Sequence, residues 1–97
     1  MKVSLRFFTV LREITGKREQ TLEFSDNKPV TVNMVLEALR QEYGKSFIEY
    51  VYDIKTCEVK GFLQFLVNGR SVSTLSSLDT RLEDGDVLAI IPPVGGG

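Results

Sequence analysis

Near its carboxyl end the chain carries VLAII at positions 87–91, followed at once by Pro92 and Pro93. Five apolar residues in a row, with no polar alternation, describe a strand buried on both faces, which belongs inside a sheet and not at its edge. The two prolines lack amide hydrogens and end the ladder there. A central strand needs a neighbour on each side, and the rest of the sequence has to supply them.

The opening supplies one. Residues 2–10, KVSLRFFTV, set Val3, Leu5 and Phe7 on one face and Ser4, Arg6 and Phe8 on the other, a period of two. Arg6 interrupts the apolar stretch and no small-residue cleavage site follows, so this reads as a first strand and not as a secretory leader. LREITGKRE is a turn-like stretch bending at Gly16, and QTLEF is a second strand with Leu22 and Phe24 inward. The short connection makes the two an antiparallel hairpin, closed by the turn cluster SDNKP.

Val32, Val35, Leu36, Leu39 and Tyr43 then recur at helical spacing, with Thr31 in the N-cap position and Gly44 just past the end. KSFIEYVYD adds a short helical turn that packs Phe47, Ile48 and Val51. Residues 62–67, FLQFLV, are strand-like, and Asn68-Gly69 is a hairpin signal returning into RSVS. Leu75, Leu78 and Leu82 fall at turn-like spacing, and EDGD makes a second tight turn before VLAII. The order β-β-α-short helix-β-β-β predicts an α+β domain. Its mixed sheet has about five strands, the last beside the first, packed on one main helix that covers one face.

The uncovered face receives alternate residues of the central strands: Phe8 with Leu88 and Ile90, or their opposite-parity neighbours. Surplus apolar side chains there point to partner docking. Burial beneath the short helix and residues 50–61 is the other reading.

Composition narrows the function. The 97 residues carry a net charge of -1, and the twelve Lys and Arg are scattered, so nothing marks a nucleic-acid or membrane-binding surface. No apolar run approaches the ~20 residues of a membrane span. The single Cys57 cannot form an internal disulfide, which leaves the cytoplasm as the expected location. With no histidine in the chain, Cys57 also lacks the usual activating base and reads as a small apolar residue or a passive loop thiol. Asp53, Glu58, Glu83, Asp84 and Asp86 form no evident catalytic pair, and the single glycines make no phosphate-cradling loop. Catalytic residues, bound cofactors and metals are therefore not expected.

What remains is the end itself, PPVGGG. Five extended residues from Pro93 to Gly97 reach roughly 17 Å. Glycine has no Cβ, so such a strip threads a tunnel where any side chain would clash. Once adenylated, a terminal carboxylate becomes an acyl donor to a sulfide, a thiol or an amine. The opposing reading of this segment is slack.

FFTVLREITG, LVNGR and LEDGDVLAIIPPVGGG occur in this order across nearly the whole chain. Together they resemble the molybdopterin synthase small subunit family, the MoaD-type ubiquitin-like sulfur carriers related to ThiS. The resemblance implies a ubiquitin-like β-grasp domain over residues 1–94 and a flexible glycine tail over 95–97. It also implies a MoeB-like, ubiquitin-activating-type enzyme that spends ATP with Mg²⁺ to adenylate the terminal glycine before sulfur transfer makes a thiocarboxylate. In the molybdopterin branch the tail enters the large synthase subunit, which holds the catalytic residues, and gives its sulfur to the pterin precursor. Carried over by position, the activated end is Gly95, Gly96 and Gly97, and docking falls near Phe8, Leu88 and Ile90. Arg12 and Arg70, beside the resembling motifs, are candidates for a partner's acidic groups.

One departure stands out. The family usually ends in two glycines, and here Val94 precedes three. Either Gly97 is trimmed by a protease first, or it is itself the activated residue. Archaeal small modifier proteins resemble the same family and join through a terminal glycine to lysines of target proteins, so the rival fate of the tail is conjugation. One protein can serve both ends. The lysines Lys2, Lys17, Lys28, Lys45, Lys55 and Lys60 read as solvated charges ahead of acceptor sites.

Overall fold

The alternation of the opening becomes strand β1 (Lys2–Phe7), with Val3, Leu5 and Phe7 at most 1% exposed. The computed structural model describes residues 1–92. The glycines 95–97 expected to carry the chemistry, and the outer boundary of the expected 1–94 domain, lie outside the described residues. β1 pairs antiparallel with β2 (Glu19–Glu23), matching Leu5 to Gln20. On its other side β1 runs parallel to β7 (Val87–Ile91), matching Leu5 to Leu88. β4 (Gln64–Val67) lies antiparallel on the far side of β7, and β5 (Arg70–Ser71) completes the sheet, in the order β2-β1-β7-β4-β5. The apolar run is thus the central strand, beside the first.

Helix α2 (Val32–Tyr43) crosses one face of this sheet and buries Val32, Val35, Leu36 and Leu39 completely. Each such side chain contributes about 1.5–3 kcal/mol of apolar burial before conformational entropy is counted. The helix starts where the Thr31 hydroxyl accepts from the Met34 amide at 3.3 Å. It stops at Gly44, whose φ of 68° suits glycine and whose amide donates to the Arg40 carbonyl. Helix α3 (Lys45–Val51) follows and buries Phe47 and Val51. A second, two-stranded sheet joins β3 (Val30–Thr31) to β6 (Arg81–Leu82). Two 3-10 turns, Val72–Thr74 and Ser77–Asp79, connect β5 to β6. The mixed sheet gripping one main helix is a ubiquitin-like β-grasp.

Asn68 and Gly69 turn the β4–β5 hairpin with φ of 51° and 84°, the left-handed pair such a two-residue turn requires. Asn68 does more. Its Oδ1 accepts from the Val87 amide at 2.9 Å and its Nδ2 donates to Asp86 Oδ1 at 2.9 Å, which ties the hairpin to the start of β7.

Three local expectations change. The turn-like stretch after β1 contains helix α1 (Val10–Thr15), which buries Leu11 and ends at the left-handed Gly16. Thr15 Oγ1 donates to the Leu11 carbonyl at 2.8 Å and helps hold this single short helix. β1 consequently ends at Phe7, because Thr9, with φ 46° and ψ -115°, swings the chain into α1. β4 begins at Gln64 and not at 62, since the Leu63 amide is used in a turn to the Lys60 carbonyl.

Candidate functional site

The site is built around the exit of β7. Phe7 pairs with Ile90 on one side and Gln64 with Ile91 on the other. The chain therefore leaves the sheet at Pro92 from between two strands, and its direction is set by ladders on both flanks. A central strand is the most constrained root that a sheet offers to a projecting segment.

Parity decides which side chains surround that root. Leu88 and Ile90 are 0% exposed and face α2 with Leu5, Phe7 and Phe65. They are core residues, which corrects their assignment to the docking face. The open face takes the other parity: Val87 beside Ser4, Ala89 between Arg6 and Leu66, and Ile91 beside Gln64. Val87, Ala89, Ile91 and Leu66 are all half-buried, against the complete burial of Leu88 and Ile90. Arg6 stands 3.7 Å from Glu19 across the β1–β2 pair and is well exposed. The result is a shallow apolar strip along β7 and β4, edged by charge on the β2 side.

Phe8 follows β1 directly and is half-buried next to the strand exit. Arg12 reaches back from α1, donating Nε to the Phe7 carbonyl at 3.0 Å while its guanidinium lies 5.5 Å from the Phe8 ring centroid. Phe8 and Arg12 thus form one unit, aromatic body and cation together. Arg70 does not join them. It opens β5 beyond the hairpin turn, and the pairing of Val67 with both Arg70 and Leu88 sets it toward the start of β7, away from Pro92.

Val87, Ala89 and Ile91 are the opposite-parity neighbours that the sequence left open, Arg6 was already placed on the face opposite Val3, Leu5 and Phe7, and only Leu66 was missed as a face residue. A run apolar on both sides hides its own parity. The available signal was Ala89, a small residue between two large ones, matched across the ladder to a charged Arg6.

The chemistry of this arrangement is presentation. Among the described residues no group of three or more His, Cys, Asp or Glu side chains could hold a metal, and no helix is long and apolar enough to cross a membrane. Groups whose titration is displaced sit on other parts of the molecule. Burial raises the Tyr52 hydroxyl above its usual range, against the nearby Arg40, whose guanidinium lies 4.8 Å from the ring centroid. Burial likewise raises Tyr43, whose hydroxyl donates to Gln20 Oε1. The hydrogen bond that the Met1 ammonium donates to the Asp26 carboxylate holds that ammonium above its usual range. Cys57 is exposed in the turn closed by its amide to the Asp53 carbonyl, a loop thiol.

A β-grasp sheet whose central strand runs out beside an open apolar strip defines a ubiquitin-like protein. The ThiS family matches residues 5–97, and the chain belongs to that family. It is 37% identical over 97 residues to small archaeal modifier protein 3 of Haloferax volcanii, covering 100% of both chains. It is 33% identical over 72 residues to a provisionally named sulfur carrier protein of Archaeoglobus fulgidus, covering 74% of this chain and 80% of that one. The crystal structure of small archaeal modifier protein 1 from Haloferax volcanii superposes with a TM-score of 0.82 at 26% identity, covering 100% of each chain. The protein is thus of the ubiquitin-like kind that includes sulfur carriers and small archaeal modifiers.

Proposed function

We propose that this protein is a carrier whose terminal glycine carboxylate is activated by an adenylating enzyme and then handed on. The carboxylate attacks the α-phosphorus of ATP held with Mg²⁺ by a MoeB-like partner, and pyrophosphate leaves. Hydrosulfide then attacks the acyl carbon and expels AMP to give a thiocarboxylate, which donates its sulfur in molybdopterin biosynthesis within the large synthase subunit. The observation that carries this reading is the position of β7, clamped between β1 and β4 and running straight to Pro92 beside an open face. A partner that seats on Val87, Ala89, Ile91 and Leu66 receives whatever follows Pro92 at a fixed angle. The Phe8–Arg12 unit stands at the same end of the sheet and offers a cation to an acidic rim.

A second reading is conjugation of the same activated carboxylate to lysines of target proteins. The full-length likeness to small archaeal modifier protein 3 favours it. Both fates share activation and differ only in the acceptor, a sulfide or an amine. Mass spectrometry of the protein from its native cell separates them. Sulfur in place of one terminal oxygen supports carriage, and tryptic glycine remnants on target lysines support modification. The same spectrum reports whether Gly97 is retained or trimmed. Removal of Gly96 and Gly97 is expected to abolish ATP-dependent adenylation while leaving thermal unfolding unchanged. Adenylation of the truncated chain at the full rate would sink both readings.

A further inference from the structure

Two cationic side chains flank the root of the segment that leaves at Pro92, one beside each neighbour of β7. β1 ends at Phe7, matched to Ile90, and Phe8 and Arg12 follow it. β4 begins at Gln64, matched to Ile91, and Lys60 and Phe62 lead into it. Both segments reach the level of the exit, from opposite sides. The two flanks are also built alike. Arg12 donates Nε to the Phe7 carbonyl at 3.0 Å, with its guanidinium 5.5 Å from the Phe8 ring centroid. Lys60 donates Nζ to the Glu49 carbonyl at 2.8 Å and lies 5.8 Å from the Phe62 ring centroid. Each cation is held by a backbone carbonyl and an aromatic ring, and among the described residues neither has a carboxylate partner. A cation so held gives up less freedom when a partner arrives, and its charge is still uncompensated.

Phe62 is 47% exposed, although its ring also stands edge-on to Tyr50 of α3 with centroids 6.5 Å apart. A positioned, half-exposed aromatic beside a cation is the composition of an interface centre. Charge along β7 has the same bias. At the exit end Glu19, Glu42 and Glu49 each lie beside a cation of their own, Arg6, Lys17 and Lys45. Arg12, Lys60 and Arg18, whose carbonyl accepts from the Phe7 amide, are left there against Glu13 alone. Where β7 starts, Glu23, Glu83, Asp84 and Asp86 outnumber Lys2, Lys28 and Arg70. The net charge of -1 conceals this polarity, which steers an acidic surface toward the exit.

We propose that the enzyme receiving the chain beyond Pro92 carries acidic side chains on two lips of its opening, one docking at Phe8–Arg12 and the other at Lys60–Phe62. The proposal rests on the reading that the terminal carboxylate is activated by an adenylating enzyme, and it names the surface by which that enzyme grips the root. The rings supply apolar contact, and the two cations fix the angle of approach from both sides.

The test measures adenylation of the full chain by its cognate enzyme, as pyrophosphate release over a range of carrier concentrations. The double variant Arg12→Gln, Lys60→Gln is expected to lower kcat/KM roughly tenfold at ~50 mM salt and less than about twofold at ~0.5 M, with kcat unchanged. Each single variant is expected to lose about threefold at low salt. Arg12→Lys and Lys60→Arg keep the charge and should stay within about twofold of the wild type, whereas Lys28→Gln, at the other end, should change nothing. A wild-type kcat/KM for Lys60→Gln at low salt would overturn the two-sided grip and the proposal with it. So would a loss that persists at high salt with a lowered unfolding temperature, the mark of a packing role. Tight binding of a short mixed-sequence RNA that the double variant loses would assign this end to nucleic acid, against the proposal. A wild-type chain that is not adenylated at all would remove the proposal together with the reading beneath it. Variants that match an adenylated wild type would remove the proposal alone.

Discussion

The two faces of β7 differ by one residue in register and by everything in environment. Leu88 and Ile90 point into a core closed by α2, where no solvent reaches them. Val87, Ala89 and Ile91 point to the other side, where each is only half-buried. Stability is concentrated on one side, and the other is the side proposed for recognition, along a single five-residue strand. Such a division lets the outer face change its partner without loss of fold, and it makes β7 the place where the two can be separated experimentally.

The largest effect is expected inside. Ile90→Ala removes three buried carbons and leaves a cavity under α2, a loss of about 2–5 kcal/mol by chemical denaturation. A loss below about 1 kcal/mol would mean that the covered face is not where the domain holds itself together. Its mirror on the outer face is Ala89→Glu, which sets a carboxylate between Arg6 and Leu66. Here the unfolding midpoint should move by less than about 1 kcal/mol, while adenylation by the cognate enzyme should fall more than about tenfold. Normal adenylation would break the assignment of the face.

A smaller effect probes the covering element alone. Thr31→Ala removes the hydroxyl that accepts from the Met34 amide and should cost about 1 kcal/mol, with adenylation at saturating enzyme unchanged. The smallest effect is one of pH. Tyr52 and Tyr43 have folded values raised above 10.0 by burial, so their neutral forms are the ones the fold favours. Their contribution is complete below pH 10 and is lost as pH rises through the folded values, so stability should decline on the alkaline side. Tyr52→Phe should flatten that decline, read from unfolding midpoints between about pH 9 and 11.

The covered side was largely legible in the sequence. Thr31, the spacing from Val32 to Tyr43, and Gly44 announce α2 because capping and helical periodicity are local. The central position of VLAII was legible because an all-apolar strand has few other places to go. Its parity was not, because Leu88 and Ala89 differ only in what lies across the ladder from each. α1 escaped notice for a related reason. Six residues form no helix by themselves, and VLREIT is held by the burial of Leu11 and by the turn at Thr9, both tertiary. The early end of β5 was invisible as well, since RSVS alternates like a longer strand and gives no sign that pairing ends at Ser71. The glycines that carry the proposed chemistry were read from sequence alone.

The parallel pairing of β1 with β7 joins strands from opposite ends of the described chain. A ribosome therefore releases one flank of the sheet well before its centre. Until β7 emerges, β1–β2 and β4–β5 are two hairpins with no strand between them, and the slow closure of that long loop is still to come. An activating enzyme that seats on the outer side of paired β7 would therefore find its surface only on chains that have already closed their sheet.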